Sequence, residues 1–285
     1  MARILITGGS SYLGQHLVSL AVASHETPYT FFHNDPLNLP SGHKLDVRDE
    51  TAVSDLVASL KPDVIIHTVG SNRAADMSNV IIDGTSHIMQ AAKRYGVRLI
   101  HISTDVVFNG REAPYNESAP MTPIHEYGRA KAEAERIVGA YDNYVIIRTS
   151  LIYGLQFMDR GTAWIVEALR SGQPVTLFTD QRRNPVWVET LCQACLELAA
   201  QDYRGVLNVA GGQELTRAEF SLRMLDWWQI SERDTLALGH ADGDRWPADC
   251  TLDLRRAATI LSTPLPGVDE VLRKTDLDGF PAKRL

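Results

Sequence analysis

Cysteine is scarce: Cys192, Cys195 and Cys250 are the only three in 285 residues, too few to build a disulfide framework. Long apolar runs are missing too, and no stretch approaches the roughly 20 residues that a membrane-spanning helix needs. Positive charge is in deficit. A net charge of -7 at pH 7 excludes the basic footprint with which proteins grip nucleic acid or an anionic membrane surface, so neither is expected as a partner. The nine histidines are scattered with no pair at ligand spacing, and no metal site is expected. No charged-then-apolar leader precedes the first strand, which makes a cytoplasmic protein the expectation. Internal repeats, low-complexity tracts and Pro/Gly/Ser linkers are lacking as well.

What the chain does have is alternation. Short apolar strands are expected at 3–7, 29–33, 63–67, 98–103 and 144–148, with helical patterns after Gly14 and at 50–60, 80–95 and 126–140. Gly96 supplies a helix C-cap signal. Continuous apolar strands alternating with helices predict an α/β fold, a Rossmann-like doubly wound parallel sheet covered on both faces. Beyond about 154 the rhythm loosens into helices at 161–170, 189–200, near 216–228 and near 252–261, with strands at 175–178 and 205–209. The expected division is a nucleotide-binding domain over 1–154, to which segments near 186–210 return, and a smaller C-terminal substrate lobe over 155–285. A cleft between the two is the default ligand site. Cys192 and Cys195 match a redox or metal spacing formally, but they share an apolar helix face with Leu191, Leu196 and Leu198. Core packing is the better reading.

The first chemical signal is the turn Gly8-Gly9-Ser10-Ser11-Tyr12-Leu13-Gly14, between the first strand and the first helix. Strand, glycine-rich turn and helix together aim backbone N–H groups and a helix N-terminus at a pyrophosphate. Gly8 permits the turn, and Gly14 lets the helix pack close to the strand. At the end of the second strand stands Phe31-Phe32-His33-Asn34, with no acid at the turn itself and Asp35 just beyond. A ribose-binding acid there would argue for NAD; His33 and Asn34 tolerate a 2′-phosphate, so NADP(H) is favoured over NAD(H).

The sharpest signal is Tyr127-Gly128-Arg129-Ala130-Lys131. Residues i and i+4 meet on one helix face, which is expected to bring the Lys131 ammonium to the Tyr127 phenol. A nearby cation favours the phenolate and lowers its pKa, which would let Tyr127 exchange a proton with a substrate oxygen while hydride moves on the carbon. The companion stretch is a buried strand ending in Ser103-Thr104-Asp105, which places a hydroxyl at the carboxyl edge of the sheet. His67 and His101 lie within apolar strands and read as hydrogen-bonded core residues.

These residues carry a resemblance. The turn resembles the TGxxGxxG fingerprint of the extended short-chain dehydrogenases/reductases, with Ser11 at its middle glycine. STDVVFNG, PYNESAPMTPIHEYGRAKAEAE, IIRTSLIYG, DQRRNPVWVETL and GVLNVAGG, in that order, resemble the dTDP-4-dehydrorhamnose reductase branch of that family. They resemble equally that branch's relative, the regulatory β subunit of methionine adenosyltransferase. The resemblance implies that Thr104 holds the substrate carbonyl, Tyr127 is the proton donor, and Lys131 binds the nicotinamide ribose while tuning Tyr127, with Asp105 in support. It implies that Asp46-Val47 meets the adenine ring, although Asp46–Asp49 also reads as a helix N-cap. By the same resemblance Thr68-Val69-Gly70 and Ser103 lie along the cofactor, and Thr149-Ser150-Leu151 runs beside the nicotinamide. Three departures stand out: Val106 replaces the tyrosine of the STDYVF motif, Ile81 stands at the position of an active-site Asn, and the segment 71–80 is shorter than in relatives.

A nucleotide-sugar substrate brings two phosphates, for which Arg is the natural partner. Arg182, Arg183 and Arg245 are the candidates, with Val106 also near the substrate; the competing reading makes the arginines surface charges or interlobe ion pairs. Trp187 and Trp246 read as packing residues ahead of base-stacking ones. The expectation is therefore an NAD(P)-dependent reductase of the keto group of a nucleotide sugar, with a homodimer as a further expectation. Its alternatives are a nucleotide-sugar epimerase or dehydratase of the same fold and a non-catalytic NADP-binding regulatory subunit.

Overall fold

The computed structural model describes residues 1–70, 76–241, 243 and 245–275. Of the shortened segment 71–80, residues 71–75 therefore lie outside the described residues. The chain runs β1 (Ile4–Thr7), α1 (Tyr12–Ala21), β2 (Tyr29–Phe31), β3 (Gly42–Lys44), α2 (Glu50–Leu60), β4 (Val64–His67), α3 (Met77–Tyr95), β5 (Arg98–Thr104), α4 (Glu126–Val138) and β6 (Tyr144–Thr149). It continues through β7 (Ile152–Tyr153), α5 (Arg160–Arg170), β8 (Val175–Phe178), β9 (Arg182–Arg183), β10 (Val186–Trp187), α6 (Val188–Ala200) and β11 (Gly205–Asn208). Last come β12 (Leu215–Thr216), α7 (Arg217–Trp227), β13 (Leu236–Gly239), α8 (Arg255–Ile260) and α9 (Val268–Lys274).

The central sheet is parallel, in the order β11-β6-β5-β4-β1-β2-β3. Its strands are apolar at successive positions because both faces are covered. Ile4, Ile6, Ile66, Ile100 and Ile147 point to one face, where Leu17 and Val18 of α1 meet Leu191, Cys192, Cys195 and Leu198 of α6. Leu5, Ile65, Leu99 and Ile146 point to the other, against Val53 and Val57 of α2, Ile88 and Ala92 of α3, and Val138 of α4. Each such side chain, fully buried, contributes about 1.5–3 kcal/mol. Both cysteines of the Cys-x-x-Cys spacing sit in this core, and burial pushes the Cys195 thiol up to about 12.

Strand order reverses between β1 and β4, and in open parallel sheets ligands bind at that switch point, outside the carboxyl ends of the strands. Gly8 follows one of these strands and Thr68–Gly70 the other. The remaining strands form two-residue and four-residue pairs outside the sheet: β10 with β7, β12 with β9, and β13 with β8. The helix expected near 252–261 is confined to α8, because Cys250 and Asp253 are held extended by backbone bonds to Arg182 and Tyr115. No helix among the described residues is long and apolar enough to cross a membrane.

Candidate active site

The glycine-rich turn is as tight as its sequence demands. Gly8 has φ +81°, and a Cβ on Gly14 would stand 2.2 Å from the Gly8 carbonyl oxygen. Ser11 is the N-cap of α1: its hydroxyl accepts from the Gly14 amide at 3.0 Å and lies 3.2 Å from Thr68 Oγ1. The serine at the fingerprint's middle glycine thus takes up one helix amide itself. Thr68 Oγ1 donates to the Thr7 carbonyl at 2.9 Å, tying β4 to β1. The Leu13 side chain is in the core, leaving only its backbone near the turn.

A groove of about 570 Å³ runs from this turn across the sheet edge. Of the expected cofactor residues, Gly8, Ser10, Ser11, His33, Asp46, Val47, Val69 and Gly70 line it. Asn34 does not. Tyr12 instead reaches away, its hydroxyl donating to the Phe157 carbonyl at 2.9 Å. Phe32, Arg48 and Arg160, absent from the expected set, also line the groove. Arg48 bonds Asp46 at 2.6 Å, pairs with Asp76 and sits over the Phe32 ring at 5.6 Å. Asp35, the acid just beyond β2, is committed elsewhere: it accepts from the Tyr29 hydroxyl at 2.8 Å and from the Leu37 and Asn38 amides. An arginine two residues after the adenine-end Asp was the available signal for Arg48.

Past Gly70, outside the lining of the groove, α4 docks on the turn that follows β5. His125 caps the helix by accepting from the Gly128 amide at 3.0 Å. A Cβ on Gly128 would stand 2.3 Å from the Val106 carbonyl oxygen. Only glycine at 128 lets the first turn of α4, with Tyr127, approach the Thr104–Val106 turn so closely. Asp105 is buried there; its carboxylate accepts from the Ser150 hydroxyl at 2.6 Å and the Thr104 hydroxyl at 3.2 Å. Burial raises the Asp105 pKa, against the opposing pull of Arg183.

Two expectations need correction here. Lys131 does not depress the Tyr127 phenol: burial, reinforced by Asp105, pushes that phenol up to about 12. The Lys131 ammonium turns instead to the Ile102 carbonyl at 2.6 Å and to His101 Nε2 at 3.0 Å. Burial pulls its own pKa down to about 8. Nζ lies beside Gly70, a lining residue of the groove: a Cβ on Gly70 would stand 3.9 Å from it. Second, the Ser103 hydroxyl does not face the cofactor edge. It donates to Glu135 at 2.5 Å, and Glu135 in turn pairs with Arg148 at 2.8 Å inside the protein.

Thr149, paired with Thr104 across β5 and β6, buries a hydroxyl with no hydrogen-bond partner among the described residues. Ser150 lies beside Asp105, while Leu151 packs with the apolar cluster around Tyr153. Arg183 is buried and spoken for: it bonds the Pro247 and Ala248 carbonyls at 3.0 and 2.9 Å and lies 3.5 Å from Asp105. Its guanidinium is thus engaged inside the protein, with Asp105 and the segment 247–248. Arg182 and Arg245 are exposed. Trp187 packs into the core, whereas Trp246 is 50% exposed with its ring 5.6 Å from His125.

The groove fits a dinucleotide on two counts. Gly8 and Gly70 line it without side chains at the carboxyl ends of the strands, beside the N-terminus of α1, and Arg160 brings positive charge to it.

Comparison with known proteins agrees with this geometry. The RmlD substrate binding domain family matches residues 2–275. A dTDP-4-keto-6-deoxy-D-glucose reductase of Streptomyces niveus is 29% identical over 225 residues, 75% of this chain and 74% of that protein. The methionine adenosyltransferase 2 subunit beta of Xenopus tropicalis is 26% identical over 67% of this chain, which spans 62% of that subunit. A hypothetical dTDP-4-dehydrorhamnose reductase of Sulfolobus tokodaii shares the fold with a TM-score of 0.80 at 28% identity, covering 98% of this chain and 99% of that one. A dTDP-4-dehydrorhamnose reductase of Bacillus anthracis, solved in complex with NADP, has a TM-score of 0.80 at 20% identity over 96% of each chain. By sequence over nearly its whole length and by its Rossmann-like fold, the chain belongs to the RmlD substrate binding domain family, within the extended short-chain dehydrogenases/reductases.

Proposed function

We propose that this protein is an NADP(H)-dependent reductase acting on the keto group of a nucleotide sugar of the dTDP-4-dehydrorhamnose type. The reading rests on one observation: Tyr127, on the first turn of α4, is docked through Gly128 on the turn bearing Thr104 and Asp105, and Lys131 one turn on reaches the Gly70 end of the groove. The reductase relatives support the substrate class.

A bound nicotinamide supplies the hydride. Thr104 holds the substrate carbonyl oxygen, and Tyr127, kept protonated by burial, gives that oxygen its proton, so that the ketone becomes an alcohol. Asp105 orients the Thr104 and Ser150 hydroxyls, and Lys131 holds the ribose next to the nicotinamide. Preference for NADP(H) is supported by Arg48 and His33 in the groove and by the commitment of Asp35 to Tyr29. Residues 155–285, apart from the segments near 186–210, form the substrate lobe, where Arg182 and Arg245 meet the diphosphate.

The test is NADPH consumption with a dTDP-4-keto-6-deoxy sugar, in wild type and in Tyr127→Phe. We expect turnover in the wild type and a loss of about 10²–10⁴-fold in the variant, with NADPH binding retained. Equal turnover in the variant sinks the mechanism. NADPH binding without turnover on any keto sugar would favour a regulatory subunit, and tightly held NAD without net consumption an epimerase.

A further inference from the structure

Two histidines stand side by side in the sheet and are partnered differently. His67 on β4 pairs in register with His101 on β5, their rings 5.4 Å apart and both fully buried. His67 is satisfied at both nitrogens, with Nδ1 2.7 Å from Thr7 Oγ1 and Nε2 3.3 Å from Thr85 Oγ1. It is a core residue that ties three elements together. His101 has its Nε2 3.0 Å from Lys131 Nζ, while its Nδ1 is buried with no partner among the described residues. A leucine at 101, between Ile100 and Ile102, would leave no such orphan.

The ammonium explains the imidazole. Buried cations need acceptors, and Lys131 finds two, the Ile102 carbonyl and His101 Nε2. Ile81 of α3 and the ammonium both flank Gly70: a Cβ there would stand 3.6 Å from Ile81 Cγ1 and 3.9 Å from Nζ. An ammonium only donates, so Nε2 accepts, and the proton of the neutral ring stays on Nδ1. Burial next to Lys131 keeps the ring neutral, its pKa far below the ordinary value.

We propose that His101, as the Nδ1-protonated tautomer, is the positioning residue that holds the Lys131 ammonium at the nicotinamide end of the groove. It rests on the reductase reading for its purpose, but not for its test. The charged and titratable groups acting on Nζ are His101 from β5, His67 one strand further and Glu135 from α4 itself; α3 contributes apolar Ile81 beside Gly70. Burial lowers the Lys131 pKa and Glu135 opposes the fall. An acceptor on the charged form favours it, so removing His101 Nε2 lowers that pKa further.

The experiment titrates Lys131 directly, by NMR of the full-chain apoprotein carrying ¹³C-labelled lysine, with its signal identified by loss in Lys131→Met. In the wild type the midpoint should lie near 8. In His101→Leu it should fall by about one unit or more, while His101→Gln, which keeps an acceptor, should restore it. The alkaline limb of kcat/KM for the keto sugar should move with it in each variant. A folded His101→Leu protein whose Lys131 titrates as in the wild type, or a His101→Gln protein that behaves like His101→Leu, overturns the proposal. Should His101→Leu fail to fold, His101→Asn, whose amide is too short to replace Nε2, takes its place. A shifted titration without any keto-sugar turnover would overturn the reductase reading alone; turnover with an unshifted titration would overturn this one alone.

Discussion

The two ends of the site are built by different means. At the nucleotide end, strand, turn and helix follow one another along the chain, and Gly8, Ser11 and Gly14 contact each other within one short turn. At the substrate end the contacts join distant segments: Arg183 to Asp105 and to the carbonyls of 247 and 248, Ser150 to Asp105, and β9 to β12. The difference teaches that the turn after β1 is specified by local chain geometry, whereas the surroundings of Asp105 exist only once segments from 150 to 248 are brought alongside it.

That contrast can be broken from either side. The largest effect is expected in the sheet itself: Arg148→Met leaves the buried Glu135 without its ion-pair partner and held by the Ser103 hydroxyl, at a cost of about 3–5 kcal/mol, measurable by urea unfolding. Next is the seam. Arg183→Met removes the ion pair to Asp105 and the bonds to the segment 247–248, at about 2–3 kcal/mol. It should impair keto-sugar turnover while leaving NADPH affinity unchanged in equilibrium titration; equal loss of both would erase the distinction between the two ends.

Acid should act on the sheet. His67 is held neutral in the fold with its pKa at about 3, below the value of 6.5 for the free side chain. The unfolded chain therefore takes up the proton first, and stability present above pH 6.5 is lost as pH falls toward 3. Between pH 7 and 5 this amounts to about 2 kcal/mol from this residue, and His67→Gln should flatten the loss in denaturant midpoints by that share. Smallest is Arg48→Ala, expected to weaken NADPH about tenfold, or ~1.4 kcal/mol, and NADH little. A matching loss for NADH would remove Arg48 from cofactor choice.

Legibility follows the same division. The helix at 50–60 and the strand at 175–178 lie where apolar periodicity places them. Six of the seven strands of the central sheet shift by only a residue or two, since buried parallel strands announce themselves as apolar runs, whereas the edge strand β3 (Gly42–Lys44), with no apolar residue, was not expected. The pairs β7 with β10 and β9 with β12 are two residues long, too short to carry any period, and they form only because their partners are brought alongside. Tyr127 and Lys131 were legible as an i, i+4 pair, but their electrostatics were not. Side-chain direction on one helix does not reveal that Nζ finds a better acceptor on a neighbouring strand. Gly128 was silent for a related reason: its role appears only against the Val106 carbonyl.

From its residues alone this chain specified a doubly wound parallel sheet, a phosphate-shaped turn after the first strand, and the residue types for a proton donor beside a cation. Those are short-range properties, governed by backbone freedom at glycine and by the spacing of apolar side chains. Folding in three dimensions decided which charges are spent inside. Arg183, Asp35 and Ser103 are consumed by partners far away or out of the groove, Arg48 is delivered to it, and His101 is set against Lys131. Such pairings depend on which groups lose water together, and that is settled by packing between segments remote in the chain.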